Sequence, residues 1–154
     1  MLGNIIQQGM QSEHRSMVAY VTEEPNPRYP HHHLLVLNNT LINQALDGSF
    51  VSIGKGVTEP VQLVNNVFVG PGVWCSQRTA SFRHNLGAIR GIGFGPTQAA
   101  TEPIDYGEAN PSIPPVQYRH PACLETRVLR GNPDAGAYEF GGGVVLPDAP
   151  ARCR

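Results

Sequence analysis

Few residues in this chain have a type and spacing suited to chemistry. His31, His32 and His33 form an unbroken run, and neutral imidazoles are good ligands for zinc or copper. No acidic residue or cysteine stands at ligand spacing from the run. It leads straight into the apolar stretch LLVL, so the three read as strand-entry histidines. Glu23 and Glu24 could bind Ca²⁺ only with carboxylates from elsewhere. Lys55 is the one lysine among 11 basic residues and lies between glycines in IGKGV, which would expose its amine. A solvated turn lysine is the plainer alternative, since loop charges are usually soluble surface. Glu13, His14 and Arg15 form a dense charged trio that either lines a groove or simply connects two strands. Arg83 and His84 flank a corner in FRHN. No G-x-S-x-G, phosphate-binding loop or HExxH motif is present.

The elements that position these residues come next. The chain has 154 residues, enough for one domain with a real core. Charged residues make up 15% and the net charge is −1, so nothing suggests nucleic acid or an anionic membrane as partner. No apolar run approaches the roughly 20 residues of a membrane span. Gly (17) and Pro (14) are high and no long segment has a helical period, a composition of short strands and turns. The cysteines are Cys75, Cys123 and Cys153, none with metal-type spacing. In an oxidising compartment Cys75–Cys123 is the expected bridge; otherwise all three are thiols. The opening MLGNIIQQGM does not read as a signal peptide, so either the protein is not exported or its signal lies upstream.

VLNNTLIN (36–43) returns as LVNNVFVG (63–70), with Asn-Asn on Asn-Asn at an offset of 27 residues. Aligned on the second asparagine there are four copies, around Asn4, Asn39, Asn66 and Asn85, spaced by 35, 27 and 19 residues. The long first interval holds EEPNPRYP (23–30), an inserted loop whose prolines cannot join a ladder. A strand-rich repeat of this length without helices fits a solenoid of stacked parallel strands. Each unit supplies a strand, an asparagine corner, a second strand and a third, as in HLLVL, NN, TLI and SFVSI. Asparagine tolerates a left-handed corner, and stacked side-chain amides form a ladder along the axis. The expected corner residues are Asn4, Asn38, Asn39, Asn65, Asn66 and Asn85, with His84 in one ladder slot. Alternation points Leu35, Leu37, Leu41, Phe50, Ile53, Leu63, Val67 and Val69 inward. The asparagine of the sequon Asn38-Asn39-Thr40 is already explained by the corner. A β-sandwich with a chance repeat is the rival architecture. Residues 1–100 thus read as coils. Residues 101–154, with eight of the fourteen prolines, read as an extended tail packing back on the last coils, and GGGVVLPDAPARCR as a loosely held end.

GNIIQQG, the two NN corners, VFVGPG and the terminal NPDAGAYEF together resemble the C-terminal part of secreted bacterial right-handed parallel β-helix proteins, the pectate-lyase-like superfamily. A D-x-G-A-[YF]-E phrase closes the coils in many members, and here it is Asp134, Gly136, Ala137, Tyr138 and Glu139. The implied fold is all-β, a right-handed parallel β-helix of about four coils plus the tail, with Asp134 and Glu139 pinning the last coil. Members usually carry more coils behind a signal peptide and an N-terminal cap. The resemblance therefore implies that the open edge at Asn4–Gln8 meets upstream coils of a longer chain, or another copy.

For activity the resemblance implies β-elimination from a uronic acid. A cation, Ca²⁺ or a guanidinium, neutralises the carboxylate, and Lys, Arg or His removes the acidified proton. Lys55, Arg83 and His84 are then the catalytic candidates, and Glu13, His14, Arg15 and Arg78 the substrate-binding ones. Such a site needs them on neighbouring coils of one face, where stacking brings residues to about 5 Å. The expected partner is an acidic polysaccharide and the expected location extracellular, periplasmic or on the cell surface. No dedicated metal site is evident beyond Ca²⁺ by resemblance. The alternative is a non-catalytic solenoid, a stalk, adhesin or glycan-binding module, which would scatter the same charges around the coil.

Overall fold

The computed structural model describes residues 1–21, 31–87, 103–119 and 123–140. The insertion at 23–30 and the end at 141–154 lie outside the described residues. Among the described residues every regular element is a strand. The first repeat supplies β1 (Ile5–Gln8) and β2 (Ser16–Tyr20), and the second β3 (Leu35–Leu37), β4 (Thr40–Asn43) and β5 (Ser49–Ile53). The third supplies β6 (Gln62–Val64), β7 (Val67–Val69) and β8 (Val73–Cys75), and the fourth β9 (Ser81–Arg83) and β10 (Leu86–Gly87). They stack as three parallel sheets in the orders β3-β6-β9, β1-β4-β7-β10 and β2-β5-β8. Each strand pairs with its counterpart one repeat away, and a bridge from Leu2 to Leu37 extends the first sheet into the first repeat. Sandwich sheets are antiparallel. The pairing here is that of an all-β stack of parallel strands and fits a parallel β-helix.

Two residues at the first corner divide the work that the sequence assigned to asparagine as a whole. Gly3, Asn38, Asn65 and His84 are all left-handed, with φ of 63°, 53°, 54° and 49°. That conformation costs an ordinary residue about 1–2 kcal/mol, which explains glycine and asparagine there. The residue after it carries the ladder. Asn85 Oδ1 accepts from the backbone N–H and Nδ2 of Asn66 at 2.9 and 2.8 Å. Asn66 Oδ1 accepts likewise from Asn39, both at 3.0 Å, and Asn39 Oδ1 from Asn4 at 2.9 and 3.0 Å. Each amide also reaches back one repeat, Asn66 Nδ2 to Val36 O at 2.8 Å and Asn85 Nδ2 to Leu63 O at 2.7 Å. His84 therefore does not occupy a ladder slot. It takes the left-handed position, and Asn85 supplies the amide.

The core lies between the three sheets. Leu41, Phe50 and Leu63 are fully buried in the core as expected, but Leu37 is buried outside it, and Leu35, Ile53, Val67 and Val69 are only half-buried. Val36 and Phe68 are buried in their place, in register with Leu63 and Leu41. The left-handed residue breaks the two-residue alternation, so counting through the corner slips the phase by one. Phe50, Phe68, Trp74 and Phe82 form a file across three repeats, with successive ring centroids 5.1, 4.9 and 6.3 Å apart. The fourth repeat has Gly87 in register with Phe68 because a Cβ there would sit 2.5 Å from the Trp74 indole. Cys75 is a buried free thiol in this core, and burial raises its pKa. Cys123 is disulfide-bonded, so neither the Cys75–Cys123 bridge nor the three-thiol alternative holds.

After the repeats the chain returns along the first corner. The left-handed asparagines, whose amides are not used by the ladder, receive it. Asn65 exchanges two 2.9 Å bonds with the backbone of Glu108, and Asn38 Nδ2 donates to Asp134 O at 2.9 Å. Gly136 N–H donates to Asn65 O at 2.7 Å and Ala137 N–H to Thr40 Oγ1 at 3.1 Å. The DAGAYE phrase thus lies against the second and third repeats rather than capping the last one. An antiparallel hairpin, β11 (Val116–Arg119) and β12 (Cys123–Thr126), interrupts what reads from sequence as extended chain. Behind it Arg127 Nη1 pairs with Glu139 Oε1 at 2.8 Å, with side chains 1% and 3% exposed. Burial pushes the Arg127 pKa down against the pull of the Glu139 and Asp134 carboxylates. Burial likewise pushes Glu139 up, against a hydrogen bond from the Asp134 amide and the Arg127 charge.

Asn66→Ala strands several buried donors and acceptors at once and is expected to cost about 3 kcal/mol or more in urea unfolding. Asn4→Ala, at the exposed end of the same ladder, should cost about 1 kcal/mol or less. Glu139→Gln leaves the Arg127 charge buried without its counter-charge, and a loss of about 3–5 kcal/mol is expected by the same measurement.

Candidate functional site

The candidate residues fall on three different corners of the stack. Glu13, His14 and Arg15 form the connection between β1 and β2 on the second corner, and all three are exposed. Gln8 Nε2 and Ser12 Oγ both donate to the His14 carbonyl, which shapes the loop. Arg15 Nη1 pairs with Asp47 Oδ2 of the next repeat at 2.7 Å, with side chains 77% and 59% exposed. In that setting the pair contributes little to stability.

Lys55 and Arg78 share the third corner, on successive repeats. Val57 N–H donates to Gly54 O, closing a turn with Lys55 at its tip, and Ala80 N–H donates to Gln77 O, closing a turn with Arg78 at its tip. Both cations are exposed, and Lys55 makes no hydrogen bond or ion pair among the described residues. Gln77 holds the two turns against each other. Its Nε2 donates to Val57 O and Glu59 O at 3.1 and 3.0 Å, and its Oε1 accepts from Val61 N–H at 2.9 Å.

His31 also reaches this corner, with Nδ1 3.4 Å from Glu59 Oε1. The Glu59 carboxylate titrates below the usual range, chiefly because its own backbone N–H donates to it, with further donors in His31, His32 and Thr58. His32 packs edge-on to Tyr20 at 6.4 Å, and its Nε2 is buried without a partner. Among the described residues no three His, Cys, Asp or Glu side chains are grouped to hold a metal ion.

Arg83 and His84 stand at the first corner of the fourth repeat, where Glu108 of the returning tail meets both. Arg83 Nη1 lies 2.9 Å from Glu108 Oε1, and His84 Nε2 lies 3.7 Å from Oε2. The other imidazole nitrogen is 2.7 Å from Tyr106 O, a geometry in which Nδ1–H donates, and the two rings are 5.6 Å apart. The cluster fastens residues 106–108 to the fourth repeat. Arg83 and His84 are together, but apart from Lys55, Arg78 and the Glu13 trio.

Gln77, Glu108 and Arg127 were not among the sequence candidates. Arg127 lies 12 residues from Glu139 without a local motif linking them. Gln77 sits beside Arg78 in a stretch whose only signal is a turn between two strands.

Glu108→Gln removes a half-exposed pair and should cost under about 1 kcal/mol, while amide exchange at Tyr106–Glu108 accelerates. Unchanged exchange would mean the Asn65 bonds alone hold the segment. Compared with family models, curated proteins and solved structures, the chain matches none.

Proposed function

We propose that this chain is a module of a right-handed parallel β-helix, pectate-lyase-like in architecture and exported, that binds an acidic polysaccharide along its third corner without cleaving it. One observation carries the reading. Lys55 and Arg78 both stand at turn tips of the third corner on successive repeats, while Arg15, Arg83 and His84 stand on other corners. Cations presented once per repeat suit a polyanion with regularly spaced carboxylates, because strands one repeat apart are about 4.8 Å apart. Elimination needs a neutralising cation and a base converging on one sugar; of the other candidates Arg78 alone shares the corner with Lys55, and Arg83 and His84 stand at another. The disulfide at Cys123 supports an oxidising compartment.

A catalytic reading retains one favourable observation, the adjacency of Arg83 and His84. On that reading the pair neutralises the uronate and takes its proton, and Glu108 must first give way.

Polygalacturonate and alginate, titrated calorimetrically against the full chain at low and high salt, test both. The expected result is binding that weakens with salt, falls about tenfold in Lys55→Ala/Arg78→Ala, and yields no unsaturated uronate by ultraviolet absorbance. No binding to either polymer at low salt would overturn the proposal. Unsaturated product lost in Arg83→Ala would install the elimination reading instead.

A further inference from the structure

The third corner also carries a carboxylate. The segments that lead into the first sheet lie one over another there, since Gln62 N–H donates to Leu34 O at 2.9 Å and Ser81 N–H to Val61 O at 2.8 Å. The same register brings His31, on the approach to β3, against Glu59, on the approach to β6, with Nδ1 3.4 Å from Oε1. Arg78 stands on the approach to β9, one repeat further on. The side chains of His31 and Glu59 are 79% and 24% exposed, so both act at the surface that Lys55 and Arg78 share.

The histidine run is fastened from behind. Tyr20 Oη donates to His33 O at 3.2 Å, the His32 ring packs edge-on to Tyr20, and Leu34 packs on the core. His31 is thereby held at the surface, and the charged group it meets among the described residues is Glu59. Thr58 Oγ1 donates to the other carboxylate oxygen at 3.4 Å. Glu59 titrates below the usual carboxylate range and so stays ionised in mild acid. Imidazole, in contrast, is the side chain whose charge ordinarily changes between about pH 5 and pH 8.

We infer that His31 is a further cationic position of the polysaccharide site and that its protonation strengthens binding in mild acid. The inference rests on the polyanion reading of this corner. With His31 neutral, the Glu59 charge stands uncompensated and repels the uronates that Lys55 and Arg78 attract. Protonation sets a cation 3.4 Å from that carboxylate, cancels its field and leaves Lys55 and Arg78 unopposed. Carboxylic acids in water titrate near about pH 4, so the polymer keeps its charge over the range in which imidazole gains one. The setting is exposed and screened by salt, which limits the effect to a few-fold.

Calorimetric titration of polygalacturonate into the full chain at low salt, at about pH 5.5 and about pH 7.5, tests this. The expected result is binding about fivefold tighter in the acidic buffer. His31→Gln should lose most of that gain. His31→Arg, with a permanent charge, should bind in the neutral buffer about as tightly as the unmodified chain does in the acidic one, a rescue that a merely structural role would not produce. Equal binding by the unmodified chain in both buffers, or a gain undiminished in His31→Gln, would overturn this inference and leave the polyanion reading standing. Absence of binding in either buffer would overturn both.

Discussion

A buried carboxamide must find both donors and acceptors, and at one corner of this protein those partners are other carboxamides. Asn39 and Asn66 are fully buried, where an unmet polar group is costly. Each satisfies its oxygen with two N–H groups from the preceding repeat and directs its own nitrogen toward the next and back to a carbonyl. Such a chain of bonds has one register. A shift by one residue would leave several amides unpaired together, so the ladder aligns the strands on both sides of the corner. The file from Phe50 to Phe82 depends on that alignment.

The left-handed residue beside each ladder amide has a second effect. Asn38 and Asn65 keep their side chains free of the ladder, and the returning tail binds there, through Glu108, Asp134 and Gly136. Arg127 and Glu139 then lock the tail from within. Their burial makes the pair expensive to break rather than a strong source of net stability. The first corner is thereby occupied by structure. The third corner carries no such cover among the described residues, and it presents Lys55 and Arg78.

Much of the architecture was legible because its signals are local. Left-handed tolerance and ladder chemistry both belong to asparagine, so the doublet at 38–39 returning at 65–66 announced stacked corners. Which asparagine does which job was not legible, because both roles favour the same residue type. Only the contrast with Gly3 and His84, which share the left-handed slot, separates them. The inward phase of β7 was misjudged for a related reason. Alternation holds within a strand, and a left-handed corner resets it. The site was less legible still. Exposed cations carry no packing pattern, and whether they converge depends on which corner each loop occupies. Gln77 and Glu108 act across repeats or between tail and repeat, at separations no window of sequence spans.

The sequence by itself determined the repeat, the strands of the repeats and the corner chemistry, since these follow from residue types at short spacing. Only the tertiary structure decided which candidates share a corner, that the closing phrase rests on the second and third repeats, and that Cys75 remains a thiol. Those outcomes rest on distances between residues far apart in the chain, set when the ladder fixes one register and the tail folds back onto it.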